Sequence, residues 1–296
     1  MYKIGIDLGG TNMAGGIINA RGEIVHRHSI PTACTGSEEL VQSLVAFVND
    51  LLEQSQIGWN QIRHIGMGIP GLHDTKSGVV LLAGNLGLRD FDIRSALAKH
   101  FECSIYIAND GNCAALAEAR HGASKHYTRS LMLTLGTGIG AGLVMDGQLI
   151  HGVSESGHIM INCDQGRPCG CGQKGCFEAY ASATALLKSA SVSAPHLRAI
   201  SAKQIFDAAQ ANDSMAQQLI ADFIYYLGVG ITSLINAYAV DAVVLGGGIS
   251  QQGERLLTPL KSVLGELAMS GQLNTHICMA ALGNDAGIIG AAELGC

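Results

Sequence analysis

Three cysteines and a histidine carry the densest ligand chemistry in this chain. Cys169, Cys171 and Cys176 stand as C-x-C-x4-C with glycines between them, and His158 lies on the hydrophobic segment just before. Glycine lets the backbone turn tightly enough for several side chains to converge on one ion. Three thiolates and an imidazole suit tetrahedral zinc, and a donor set with no open position is structural rather than catalytic. The alternative is a Gly/Cys-rich surface loop without metal. Two carboxylates, Glu155 and Glu178, bracket the array, so a closed knot would fix both and make it the floor of a substrate site.

A second kind of chemistry lies in the glycine turns. Lys3 to Leu8 reads as a β-strand ending in Gly9-Gly10-Thr11-Asn12, and strands from Ala14 to Asn19 and Glu23 to His28 follow. Backbone N–H groups in such a turn can cradle phosphate, with Asp7 placed to order a magnesium ion; a plain hairpin needs neither. The pattern recurs over 131–147. Laying Thr134 on Asp7 brings Gly136 onto Gly9 and Gly142 onto Gly15, which predicts two halves that each offer a glycine loop, Gly136-Thr137-Gly138 being the second, to a shared cleft. Gly246-Gly247-Gly248 ends a third apolar strand, Asp241 to Leu245, and suits a flat adenosine surface or a tight turn.

The elements that must position these groups alternate. Apolar spacing predicts a helix over Glu38 to Gln54 with Ser37 as N-cap, and a strand over His64 to Ile69 closed by Pro70-Gly71. Gly84-Asn85-Leu86 reads as a loop after a strand over Val79 to Leu82. A helix over Ile93 to Phe101 and a strand over Ser104 to Ala108 come next. Asn109-Asp110-Gly111-Asn112 then opens a helix over Cys113 to His121. Asp110 at that junction is either a plain N-cap or a general base at the carboxyl end of a strand, where ligands bind in open α/β folds. Beyond the cysteines the pattern is helical, over Ala181 to Ala190, Ala202 to Asn212 and Ser214 to Tyr238, with a small-residue helix from Asp285 to Leu294. Alternating strands and helices indicate an α/β class.

Composition narrows the functions available. A chain of 296 residues, 48% of them hydrophobic, can build two domains with substantial cores. A net charge of -6 without a Lys/Arg run argues against nucleic acid as partner. Nine cysteines, an odd count, fit a reducing compartment. Met1-Tyr2-Lys3 runs directly into a strand, so no leader is expected. The apolar run before Tyr238 is interrupted by Gln217, Gln218 and Asp222, which argues against a bilayer helix. A cytoplasmic protein is the expectation.

Taken together, Asp7 to Thr11, Asn109-Asp110, Leu135 to Gly140, Glu155 to His158, Cys169 to Glu178 and Gly246 to Gly248 make the chain resemble a ROK family sugar kinase over essentially its whole length. Ser154 departs from the glycine common before the first of these glutamates. The resemblance implies the two-lobed actin-like, ribonuclease H-like ATPase fold with duplicated hairpins and an interlobe cleft. Residues 1–120 would form the smaller lobe, with the closing helix over 285–296 packed on it, and 121–284 the larger lobe with the zinc loop. It implies ATP-dependent phosphorylation of a hexose 6-hydroxyl, glucose first, with an N-acetylglucosamine, N-acetylmannosamine or fructose kinase as alternative. A regulator on the same scaffold would carry a helix-turn-helix ahead of the first strand. Asp110 would be the base, with Gly71, Asn85, Asn109, Glu155, His158 and Glu178 around the sugar. Asp7, Gly9, Gly10, Thr11, Asn12, Gly136, Thr137, Gly138, Gly246, Gly247 and Gly248 would hold ATP and Mg2+. His158, Cys169, Cys171 and Cys176 would hold structural Zn2+, and a homodimer is implied. The chain has no Walker lysine, so backbone amides and magnesium must neutralise the phosphates.

Overall fold

The computed structural model describes residues 1–32, 36–151, 154–164, 166–269 and 274–296, with the side chain of Ser154 outside that description. The chain divides into two compact units, one of Met1–His121 with Asn284–Cys296 and one of Gly122–Gly283.

The first unit is built on β1 (Tyr2–Leu8), β2 (Asn12–Ile18), β3 (Ile24–Pro31), β4 (Ile62–Ile69) and β8 (Ser104–Asn109), in the order β3-β2-β1-β4-β8. A small second sheet is formed by β5 (Leu72–Asp74), β6 (Val79–Ala83) and β7 (Leu88–Asp92). The β1, β4 and β8 strands run parallel, and β2 returns antiparallel to β1. Their near-continuous apolar runs are those of strands covered on both faces. The covering helices are α1 (Ser37–Ser55), the short α2 (Ile93–Leu97) and α3 (Asp110–Arg120). Leu40, Leu44, Phe47, Val48 and Leu51 of α1 recur at helical spacing and are buried against Ile4, Ile6 and Ile17.

The second unit repeats the plan. Its sheet runs β11 (Gln148–Ile150), β10 (Ile139–Met145), β9 (Arg129–Leu135), β12 (Ala242–Gly246) and β13 (His276–Met279). Around it lie α4 (Glu178–Ala181), α5 (Ala183–Ser193), α6 (Ala202–Gln210), α7 (Ser214–Tyr238) and α8 (Glu254–Leu267). Among the described residues α7 alone is long and apolar enough to cross a membrane. Here its Leu219, Phe223, Leu227, Ile231 and Leu234 belong to the core of this unit. The last helix, α9 (Ala286–Glu293), returns to the first unit and packs on β1, β4 and α3.

Several expected boundaries shift for local reasons. Ser37 is the first residue of α1, and its cap is Gly36, which has no side chain to accept a bond. The helix begun at Ile93 ends at Leu97, where His100 and Phe101 fold back to the Leu97 carbonyl. Gly84–Leu86 is a single 3-10 turn rather than an open loop. The segment expected as one helix from Ala181 breaks at Ser182. That residue is extended (φ -95°, ψ 165°), and its hydroxyl accepts from Ala185 N–H to cap α5. The hairpin repeat is real but carries a one-residue offset. Leu8 pairs with Met13 in the first hairpin, whereas Leu135 pairs with Ile139 in the second, so the second turn is one residue shorter.

Candidate active site

In the first unit the chemistry gathers at the carboxyl ends of the parallel strands. Asp7 pairs in register with Gly68, Gly68 with Ala108, and Ile69 with Asn109, which leads directly into α3. Asn109, not Asp110, caps that helix: its side-chain oxygen accepts from Gly111 N–H at 2.9 Å. Asp110 is the first helical residue, exposed, with its own carboxylate 2.9 Å from the same N–H. Burial, followed by the charge of Asp110, lifts the Asp7 carboxyl from 3.8 to about 6. A buried carboxyl that resists ionising beside a second acidic side chain forms a place where a cation is welcome, so Asp7 fits a magnesium-ordering role.

The first glycine turn is short and locally held. Gly9 N–H donates to Asn12 O at 2.9 Å, Thr32 N–H to Thr11 O at 2.9 Å, and the Thr32 hydroxyl to Gly9 O at 2.8 Å. Gly10 and Thr11 are exposed, whereas the Asn12 side chain is bonded to Ser29 Oγ at 2.9 Å. Asn85 reaches this turn, since a Cβ on Gly10 would lie 3.0 Å from Asn85 Cβ. Gly71, at φ +103°, has no room for a side chain against Leu82 O, and its carbonyl accepts from Asn109 Nδ2 at 3.3 Å. Asp7, the turn, Gly71, Asn85, Asn109 and Asp110 thus occupy one end of the first unit.

In the second unit the glycine turn, the triple glycine and the cysteine array are neighbours. Gly136 N–H donates to Gly138 O at 3.0 Å, closing the turn, and Thr137 at its tip is exposed. Gly246 pairs with Thr134, and Gly247, at φ +83°, packs its α-carbon on Leu135, while Gly248 is exposed. The ligand atoms of His158, Cys169, Cys171 and Cys176 all lie within 4.8 Å of one another. Local turns make this convergence. Cys169 N–H bonds Gln173 O at 2.9 Å, and Gly175 adopts φ +82° where a Cβ would meet Asn162 O at 1.9 Å. His158 turns Nδ1 toward Cys169 Sγ at 3.6 Å and Nε2 toward Glu155 Oε2 at 3.6 Å. Burial, and then the neighbouring sulfurs, push the Cys176 thiol up to about 12. A dication at the centre would reverse that, and this donor set fits zinc.

Glu178 sits between two of these features. Its Oε2 accepts from Ile139 N–H at 2.9 Å, and its Oε1 lies 3.9 Å from Cys169 Sγ. Thr137, Cys169, Glu178, Tyr180, Ser182 and Tyr226 border an open cavity of about 650 Å3. Sequence reasoning missed Thr32, which secures the first turn, and Gly287 of α9, whose α-carbon lies against the Asp7 carboxylate. It also missed Ala183, whose N–H donates to Gly136 O at 2.9 Å. Ala183 and Gly287 lack functional side chains and act through backbone or lack of bulk, so residue type carried no signal for them.

The ROK family model matches residues 3–295. The chain belongs to the ROK family. A glucokinase of Halalkalibacterium halodurans is 34% identical, with 99% of this chain and 94% of that protein covered. The structure of a ROK hexokinase from Thermus thermophilus superposes with a TM-score of 0.88 at 32% identity, covering 99% of this chain and 97% of that one. A ROK family glucokinase from Streptomyces griseus, solved with glucose and AMPPNP, gives a TM-score of 0.79 at 30% identity and covers 99% of each chain. The two-lobed actin-like ATPase fold of this ROK protein accounts for the repeated hairpin-and-sheet plan of its units.

Proposed function

We propose that this chain is an ATP-dependent hexokinase that phosphorylates the 6-hydroxyl of glucose. The observation that carries the reading is the state of Asp110: it is exposed at the end of β8 beside Asp7, while Asn109 does the capping. Asp110 is therefore available to accept the proton of an attacking hydroxyl. Full-length similarity to a glucokinase, and to a glucokinase solved with glucose and an ATP analogue, supports the sugar and the nucleotide.

In this reading Asp110 takes the hydroxyl proton, and Gly71, Asn85, Asn109, Glu155, His158 and Glu178 orient the sugar. The turns at Gly9 to Asn12 and Gly136 to Gly138 present backbone to the phosphates, and Gly246 to Gly248 receive the adenosine. Magnesium bound with the nucleotide supplies charge neutralisation, near Asp7. Zinc on His158, Cys169, Cys171 and Cys176 would be structural, and Glu155, beside His158 Nε2, would hold the imidazole in its ligating orientation. Catalysis is then positioning and electrostatics. A homodimer in a reducing cytoplasm completes the proposal, and sedimentation at several concentrations tests the assembly.

The deciding experiment couples ADP release to a panel of glucose, mannose, fructose, N-acetylglucosamine and N-acetylmannosamine. Product phosphorus NMR would locate the ester. Glucose should give the highest kcat/KM and a 6-phosphate. Asp110→Asn should lower kcat by roughly 10²- to 10⁴-fold with glucose binding by calorimetry retained. A preference for an N-acetylhexosamine would replace the sugar, and an Asp110→Asn enzyme with more than half of wild-type turnover would remove the base.

A further inference from the structure

The two glycine turns are held in different ways. The first is secured by Thr32, which directly follows β3 of its own sheet. The second is gripped from outside its sheet by the segment that follows the cysteine array. Glu178 Oε2 accepts from Ile139 N–H at the exit of the turn, and Ala183 N–H donates to Gly136 O at its entry, both at 2.9 Å. The fit is close: a Cβ on Gly138 would lie 2.1 Å from Glu178 Oε2. The same exit residue is also pressed from the side bearing His158, since a Cβ on Gly157 would meet Ile139 O at 2.2 Å. Segment and array are continuous. Phe177, between Cys176 and Glu178, donates its N–H to Ile159 O at 2.8 Å, next to His158.

We propose that Glu178 and Ala183 brace the second glycine turn, and that the Cys/His cluster, by holding the segment they belong to, sets the affinity of the chain for nucleoside phosphates. This rests on the kinase reading and adds to it a link from the metal cluster to the nucleotide. The physical basis is preorganisation. A turn that presents backbone amides to phosphate binds tightly only if those amides are already aimed, and each released constraint returns conformational freedom that binding must remove. Glu178 and Ala183 act here as positioning residues, through the turn.

The test is calorimetry of MgADP and, separately, of glucose on the full chain, with bound zinc measured by elemental analysis. Ala183→Pro removes one N–H at the first position of α5, where proline is tolerated and the extended Ser182 before it accommodates the ring. It should weaken MgADP about tenfold through the lost bond to Gly136 O and leave glucose affinity within about twofold. Glu178→Ala should weaken MgADP similarly, and Glu178→Gln, whose amide oxygen still accepts from Ile139 N–H, should restore it. Removing zinc with a chelator should weaken MgADP in the wild type but add little in Glu178→Ala, a non-additivity expected of coupled groups. Hydrogen exchange supplies a readout free of ligand: the Ile139 amide should exchange faster in the zinc-depleted protein. Unchanged MgADP affinity in Ala183→Pro and in the zinc-depleted wild type, each shown folded by its melting transition, would overturn the brace. An untreated wild type that binds no MgADP would instead overturn the kinase reading, and the proposal with it.

Discussion

Asp110 and Asn109 are adjacent and chemically alike, yet only Asn109 stands in the cap position of α3. Because the Asn109 side chain caps α3, Asn109→Ala should cost about 1 kcal/mol of stability through the lost cap. Asp110→Asn should leave stability within about 0.5 kcal/mol, as exposed substitutions do, while removing turnover. Urea unfolding of both variants checks this, and a larger loss in Asp110→Asn would return Asp110 to the capping role. The sequence made a carboxylate at this junction visible, but it did not separate cap from base. Both side chains reach the Gly111 N–H, and the division depends on the backbone: Asn109 is extended (φ -63°, ψ 145°) and stands in the cap position, whereas Asp110 is already helical. The cysteine array was legible for the opposite reason, since thiol spacing and glycine turns are local and need no tertiary context.

At the scale of elements, the small residues of α9 show their purpose only when the sheet beneath them is known. A Cβ on Gly5 would lie 1.9 Å from Ile288 O, one on Gly66 1.7 Å from Ala291 O, and one on Gly290 1.7 Å from Cys113 O. The α9 helix meets β1, β4 and α3 backbone to backbone, and it thereby sets Gly287 against Asp7. Gly66→Ala cannot be absorbed by a flexible side chain and should cost about 3 kcal/mol by overpacking. Gly265, exposed in α8 with nothing near its α-carbon, is the counterpart: Gly265→Ala should gain up to about 1 kcal/mol from helix propensity. Opposite signs in the urea midpoints are the expected result, and a neutral Gly66→Ala would mean that α9 stands off the sheet. The helical period of α1 and α7 and the apolar runs of β1 and β12 were readable because each pattern is complete within its own segment. The one-residue offset between the hairpins was not, because an ungapped alignment cannot see where pairing resumes after a turn.

At the scale of the whole chain, first strand and last helix are joined by one buried carboxylate. Glu293, at the end of α9, accepts from Lys3 Nζ at 2.5 Å and from Arg120 Nη1 at 2.8 Å, with His121 Nε2 at 3.2 Å. Arg120 also donates to the carbonyls of Glu293 and Cys296. Burial alone would raise the Glu293 carboxyl, but the hydrogen bonds of Lys3, Arg120 and His121 and the charge of Lys3 outweigh it and hold it at about 2, below its ordinary 4.5. Between those values the unfolded chain binds more protons at this site than the folded one. The stabilisation is therefore complete above 4.5 and is withdrawn as pH falls toward 2. Glu293→Gln would remove the buried counter-charge of Lys3 and should cost about 3–5 kcal/mol at pH 7. Because the native carboxylate itself loses its advantage in acid, the gap between wild type and Glu293→Gln should narrow as pH drops below 4.5. Urea midpoints at pH 7, 4.5 and 3 measure it. A gap that stays constant across that range would show that Glu293 contributes through packing, and that the two ends of the chain are held by α9 contacts rather than by charge.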